Sequence, residues 1–289
     1  MNLDFISRRA EIVKGIRTFF DGRGFLEVET PVRIAAPAPE CHIDCPPVAT
    51  GGFLRASPEL QMKKLLAAGL GKIYQIGPCF RDGEKGSRHS PEFTMIEWYR
   101  RNADYLDIAR DLESLLAALV ASHRPPIIRL SVRDAYLDYA GWDPWTEFDQ
   151  DRFDFDMATT IEPKLKEIGG GIFLMDYPVQ AASLAKLHTP SAAGRRPPAI
   201  SAQRWEFYWN GMELANCFTE LCDEEEQRRR FAVSREERKA LGEADYPPDE
   251  EFFSSLGRIG SAAGVALGVD RLVMVLTGAG DISSVRVGE

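Results

Sequence analysis

The chain has 289 residues, 44% of them apolar and 27% charged, with a net charge of -9 at pH 7, enough to bury a full core in one large domain or two small ones. No apolar run approaches the ~18 residues of a membrane span, the first twenty residues hold no uninterrupted apolar segment of a secretion signal, and the acidic balance gives no global attraction for nucleic acid. Five cysteines, an odd number, point to reduced thiols rather than a disulfide framework, so the expectation is a cytoplasmic globular protein without a membrane partner.

Val13, Ile16 and Phe20 recur at helical spacing, which predicts a helix over 7–20 stopped by Gly22 and Gly24. A strand in FLEVETP, closed by Pro31, is expected next. Residues 34–52 are rich in Pro, Ala and Gly and read as an irregular connection. Within it Cys41, His42 and Cys45 form C-H-x-x-C, which lacks a fourth zinc ligand at fixed spacing and reads as unpaired thiols on a loop. Ser57, Pro58 and Glu59 have the form of an N-cap, a proline at the first helical position and an acid in the first turn, opening a helix that ends near Gly69.

FRDGEKGSRHSPEFTMIEWYR, residues 80–100, reads as strand, loop, strand, and 106–120 as an amphipathic helix through Ile108, Leu112, Leu115, Leu116 and Leu119. A helix over 155–168, a buried strand over 172–177 and a loop over 189–198 follow. Asn210-Gly211, between two aromatic-rich runs, is the favoured pair of a two-residue type I′ hairpin turn. Residues 223–231 read as a solvated helix start with opposite charges one turn apart. Gly264–Val269 reads as a buried strand and Asp270–Leu276 as the start of a helix. Without a repeat or a linker, one domain over 1–289 is the simplest organisation.

Three of these segments carry chemistry. With the Asn210-Gly211 turn, Tyr208 faces Glu213 and Glu206 faces Ala215, which makes Glu206 and Glu213 diagonal neighbours at roughly 7 to 8 Å between backbones. Two carboxylates on one face need a cation or solvent to relieve them; Mg2+, which takes oxygen ligands together with substrate phosphates, would do so, and a solvent-facing acidic pair is the alternative. Asn216, Phe218 and Glu220 have the opposite parity and join that face only if a bulge intervenes over 214–216. In the strand leaving the 80–100 loop, Phe93, Met95, Glu97 and Tyr99 share a face, suiting an aromatic base and an ammonium. Arg81, Arg88 and His89 in the loop suit a phosphate chain, against the alternative of a solvated charged loop. Gly268 permits close backbone approach to a ligand. Arg271 lies in a first helical turn, where a cation opposes the helix dipole, so either an anion or a partner such as Asp270 stands near it.

Together the segments resemble the three signature motifs of class II aminoacyl-tRNA synthetases, nearest the lysyl-tRNA synthetase branch. RRAEIVKGIRTFFDGRGFLEVETP looks like motif 1, KIYQIGPCFRDGEKGSRHSPEFTMIEWYR like motif 2 and GVALGVDRLVMVL like motif 3. The resemblance implies an α+β fold, an antiparallel β-sheet flanked by helices, and a homodimer formed through the motif 1 helix and Pro31. It implies ATP as substrate, with Arg81 and Arg271 on the phosphates as catalytic groups, His89 over the γ-phosphate side and Phe93 stacked on adenine. Glu206 and Glu213 match the Mg2+ ligands, and Glu59, Glu97, Tyr99, Asn216 and Glu220 the lysine-binding positions, Glu220 facing the distal ammonium.

Motif 1 begins within the first ten residues, so no N-terminal OB-fold anticodon-binding domain is expected and tRNA is an unexpected partner. The chain is similar to the truncated paralogues of this branch that activate (R)-β-lysine and transfer it to a lysine of elongation factor P. Ser57 stands where synthetases have alanine, and Ala266 where motif 3 has glycine; both bear on the pocket around the substrate's amino group. Arg81-Asp82-Gly83 departs from the family's Arg-Asn-Glu, which leaves Glu84 as the candidate acid, and Cys217 replaces the glycine after Asn216. A lysine-activating enzyme acting on tRNA or on a free small molecule, and an inactive paralogue that binds an amino acid, are the alternatives.

Overall fold

The computed structural model describes residues 3–41, 43–120, 126–188 and 199–287. Helix α1 (Leu3–Asp21) buries Ile12, Ile16, Phe19 and Phe20 on one stripe. The expected strand after it is shorter than the sequence predicts. Only β1 (Leu26–Glu27) pairs with the sheet, because Thr30 turns away to bond the Gln75 amide oxygen through both its backbone N–H and its hydroxyl. The connection through β2 (Arg33–Ile34) and β3 (Phe53–Leu54) is irregular apart from that two-stranded pairing. Helix α2 runs from Glu59 to Ala67, with Pro58 in the cap position rather than inside the first turn; the Ser57 hydroxyl accepts the Glu59 N–H.

Strands β4 (Lys72–Phe80) and β5 (Glu92–Arg101) form the expected antiparallel pair around the charged loop. Helix α3 (Tyr105–Leu119) begins at a capping box in which Asp104 and Asp107 bond each other's backbone N–H groups. After β6 (Ile127–Ser131) and the short α4 (Val132–Ala135), the predicted helix over 155–168 begins earlier. It runs as α5 (Gln150–Asp156), a π turn over 157–161 and α6 (Glu162–Ile168), because Asp149 accepts the Arg152 N–H and starts the first turn there. Strand β7 (Gly171–Tyr177) leads to β8 (Leu187–His188); the loop over 189–198 lies outside the described residues. β9 (Ser201–Trp209) and β10 (Met212–Thr219) form the hairpin, followed by α7 (Glu224–Leu241), α8 (Glu250–Ser255), β11 (Ala262–Gly268) and α9 (Val269–Thr277). On α7 the charges of 223–231 are arranged as expected, with Arg228 on Glu224 and Arg230 on Glu226.

The strands form one sheet in the order β1-β4-β5-β11-β10-β9-β7-β6, with β8 beside β9. The sheet is mixed rather than wholly antiparallel: β1 with β4 and β6 with β7 pair parallel at its two ends. One face is packed by α1, α3 and α9 through Ile16, Phe20, Leu112 and Leu272, together with Ile96 and Trp98 of β5. The other face carries Tyr99, Tyr208 and Phe218 and is covered at its margins by α2, α4 to α6 and α8. Alternation along β5 therefore sends its even residues into the first core and leaves its odd residues for the second face, where the cavity lies.

Asp270 fastens the first core to the charged loop's strand. It is buried and accepts from Arg9 of α1, from Arg286 at 3.2 Å and from the backbone N–H of Thr94 at 2.8 Å. Of the acids expected to meet Arg271, Asp270 or another, the one it pairs with is Glu213. Among the described residues no helix is long and apolar enough to cross a membrane.

Candidate active site

The hairpin sets the floor. Asn210 and Gly211 have φ of 49° and 74°, as a type I′ turn requires, and Tyr208 pairs with Glu213. The register then shifts between Glu213 and Ala215, so Ala215 pairs with Phe207, and Glu206 pairs with Asn216 rather than with Ala215. The extra residue at the bulge reverses the parity. It thereby brings Asn216 and Phe218 to the face that also holds Glu213.

Backbone pairing now aligns a row across four strands: Glu97 opposite Ala266, Ala266 opposite Asn216, and Asn216 opposite Glu206. Above that row lies a cavity of about 340 Å³. Of the residues expected from sequence, Arg81, Glu84, Arg88, His89, Phe93, Glu213, Gly268 and Arg271 line one end. Ser57, Glu59, Glu97, Tyr99, Asn216 and Ala266 line the other. Glu206 and Glu220 stand outside the lining.

The first end is cationic. The Arg271 guanidinium donates to His89 Nε2 at 2.5 Å and to the Glu213 carbonyl at 3.0 Å, and its ion pair with the Glu213 carboxylate is 3.4 Å long. Because an arginine only donates, Nε2 accepts and the His89 proton sits on Nδ1. Burial, and then the nearby Arg271 charge, hold the imidazole below its ordinary value and keep it neutral. The Arg81 guanidinium lies 5.2 Å from the centre of the Phe93 ring and reaches Glu84 at 3.4 Å. Gly83 has a φ of 75°, a conformation that favours glycine, which accounts for glycine at this departure from the family pattern and leaves Glu84 as the acid facing the cavity.

The second end is acidic, and its Glu97 and Tyr99 are buried. Glu97 accepts from Ser57 Oγ at 2.6 Å and from the Tyr99 hydroxyl at 2.8 Å. Burial, reinforced by the Glu59 charge, pushes its carboxyl up to about 8, against the lowering effect of those two hydrogen bonds. A Cβ at Gly264 would overlap the Tyr99 ring, so glycine on β11 is what lets the phenol lie flat against the strand.

The carboxylates of the hairpin divide. Burial, and then the neighbouring Glu206 charge, raise the Glu213 carboxyl. Glu206 accepts from Arg204 at 2.6 Å and from Tyr208 at 2.8 Å. A carboxylate offers about four lone-pair directions, so these bonds leave room for a further ligand. Among the described residues no cluster of three or more His, Cys, Asp or Glu is disposed to hold a metal. The Glu206 and Glu213 pair instead matches the sparse protein contribution that Mg2+ needs when substrate phosphates complete its shell. His42 lies outside the described residues; Cys41 and Cys45 are free thiols, Cys45 buried.

Two charged groups at the cavity, and one behind it, escaped sequence reasoning. Arg204 shares a face with Glu206 on β9, bonds Asn216 Oδ1 at 3.2 Å and lies 4.3 Å from the Tyr177 ring centre; the period-two spacing was its signal. Glu40, in the irregular connection, also lines the cavity, and burial and then the Glu59 charge raise its carboxyl; no pattern marked it. Lys63, one turn after Glu59 on α2, is buried between Glu59 and Glu220 at 2.5 Å from each.

A family model for class II tRNA synthetases (D, K and N) matches residues 2–287. The chain belongs to that family. It is 37% identical over 311 aligned residues to the elongation factor P--(R)-beta-lysine ligase of Proteus mirabilis (strain HI4320), covering 96% of this chain and 92% of the relative. It is 35% identical to the protein of the same name from Hamiltonella defensa, covering 96% and 92%. A third, from Haemophilus influenzae (strain PittGG), is 36% identical, covering 93% and 89%. The α+β sheet with its flanking helices is the class II catalytic fold, and its motif 2 strands and motif 3 strand-helix unit build the two ends of the cavity just described.

Proposed function

We propose that this enzyme activates (R)-β-lysine with ATP and transfers it to a lysine side chain of elongation factor P, in the cytoplasm, with residues 1–289 acting as one catalytic domain. The observation that carries the reading is the polarity of the cavity: Arg81, Arg88, Arg271 and a neutral histidine at one end, and Ser57, Glu59, Glu97 and Tyr99 at the other. An amino acid and a nucleoside triphosphate laid end to end place opposite charges on those two ends.

In this reading Arg81 and Arg271 bind the phosphates, Phe93 presents its ring to adenine beside Glu84 and Gly268, and His89 accepts a hydrogen bond that aims the Arg271 guanidinium. The substrate carboxylate displaces pyrophosphate from the α-phosphorus, and the acceptor amine then displaces AMP from the mixed anhydride. No protein nucleophile is needed; alignment and neutralisation of charge carry the rate. Glu206 and Glu213 would hold Mg2+, which supplies neutralisation of the phosphate oxygens. Ser57 and Ala266 flank Glu97, one by its hydroxyl and one by backbone pairing, and so border the substrate's amino group. A homodimer through α1 and the exposed Pro31 completes the proposal.

The test is the intact mass of elongation factor P after incubation with the enzyme, ATP, Mg2+ and either (R)-β-lysine or α-lysine. A gain of one lysyl unit, larger with the β-isomer, is expected. Pyrophosphate exchange without any gain would move the acceptor elsewhere, and no exchange with either isomer would overturn the activation chemistry.

A further inference from the structure

Lys63 is a buried ion that none of the sequence motifs singled out. Its side chain is 2% exposed and that of Glu220 1%, and its ammonium stands 2.5 Å from a carboxylate oxygen of each of Glu59 and Glu220. The other Glu220 oxygen, Oε1, is fully buried and has no hydrogen-bond partner in the described structure. Leaving a charged oxygen uncommitted in a buried site is costly, unless the site is finished by a cationic ligand.

The charges around the pair support the same conclusion. Glu59 and Glu97 at this end of the cavity and Glu220 behind them carry three potential negative charges, which Lys63 and the buried Arg55 beside Glu97 offset only in part. A cationic ligand complements what is left. Burial alone would lower the Lys63 ammonium, but Glu220 and then Glu59 outweigh it and raise it. Burial and Glu59 push the Glu220 carboxyl up, and Lys63 acts against them.

We propose that Lys63 is a positioning residue: a fixed internal cation that holds Glu59 and Glu220 side by side and leaves one Glu220 oxygen to receive the distal ammonium of the substrate. This deepens the reading given under Proposed function and rests on it for the identity of the ligand. The cation replaces a repulsive contact between two carboxylates by two attractive ones, which no neutral side chain of the same length could do. Tyr99 and Glu97 on β5, Arg55 beside Glu97, Glu40 in the loop, and Cys222 and Lys186 are the other titratable groups whose charge is felt in this region.

The experiment is equilibrium binding by calorimetry of (R)-β-lysine and of its analogue lacking the distal amino group, to wild type, Lys63→Gln and Lys63→Arg, with ATP binding measured alongside. Wild type should prefer the diamine by about a hundredfold, as expected for a ligand that completes a buried charge. Lys63→Gln should lose at least about tenfold of that preference with ATP affinity unchanged, and regain part of it as the pH is raised and Glu220 gives up its proton. Lys63→Arg should retain more than Lys63→Gln. The titration of Glu97 is common to all three proteins, so the difference between the profiles reports Lys63.

An unchanged preference and pH profile in Lys63→Gln would overturn the proposal. So would an equal loss of ATP binding, which marks a merely structural residue, or a wild type with no preference for the diamine. Should Lys63→Gln fail to fold, Lys63→Arg decides: undiminished discrimination against the monoamine supports the proposal and its absence overturns it. Because binding is read rather than turnover, a wild type that prefers the diamine yet exchanges no pyrophosphate would remove the proposed reaction and leave this inference standing.

Discussion

Ser57 Oγ donates to Glu97 Oε1 across 2.6 Å, joining the entry to α2 with the centre of β5. The same hydroxyl accepts the Glu59 N–H, so one side chain both satisfies the first N–H of the helix and holds the carboxylate at the acidic end of the cavity. Its removal touches fold and site together.

Glu97 gives the first prediction. Its folded carboxyl titrates near 8 against an ordinary 4.5, so the folded chain binds that proton more tightly than the unfolded one. The associated stability is complete below about pH 4.5 and is lost as the pH rises through about 8. Thermal unfolding of the free enzyme should show Tm declining over that window, and Ser57→Ala, which removes a hydrogen bond that lowers the Glu97 value, should carry the decline to higher pH. Superimposable profiles for the two proteins would count against this account of Glu97.

Arg271 gives the second. Replacing it by alanine should reduce pyrophosphate exchange by about a hundredfold or more and change Tm little, since its side chain is only partly buried and bonds His89 and Glu213 at the open end of the cavity. Normal exchange by folded Arg271→Ala would remove the phosphate role.

Gly264→Ala should destabilise by about 1–3 kcal/mol or more, because the new methyl meets the Tyr99 ring in a packed strand. Chemical denaturation measures the loss. The displaced phenol also gives up its bond to Glu97, so amino-acid affinity should fall more than ATP affinity.

Asp270→Ala should be costlier, about 3–5 kcal/mol, since it removes the buried carboxylate that Arg9 and Arg286 share and the acceptor of the Thr94 N–H. Soluble protein with an unaltered denaturation midpoint would show that these contacts contribute nothing net.

Much of the fold was legible wherever a local rule acts alone. Asn210-Gly211 determines the hairpin tip, alternation over Phe93 to Tyr99 determines one wall of the cavity, and the leucines of α3 reveal its buried stripe. What could not be read depends on partners distant in sequence. Glu59 and Lys63 look like an ordinary surface pair one turn apart, and only the approach of Glu220 makes them interior. The strand in FLEVETP ended early because Gln75, on another strand, captured Thr30. The alternative parities of Glu206 and Asn216 differ by one residue, and a bulge of that size leaves no compositional trace.

That bulge also works as a lock. A uniform hairpin can slip along itself two residues at a time and keep every side chain on its proper face. Here the tip, through Tyr208 and Glu213, and the base, through Glu206 and Asn216, obey opposite parities, so no alignment without the bulge satisfies both. With the bulge between Glu213 and Ala215 and the turn at Asn210-Gly211 both in place, the spacing between the cationic end and the acidic end of the cavity is set as on a ruler with one fixed mark.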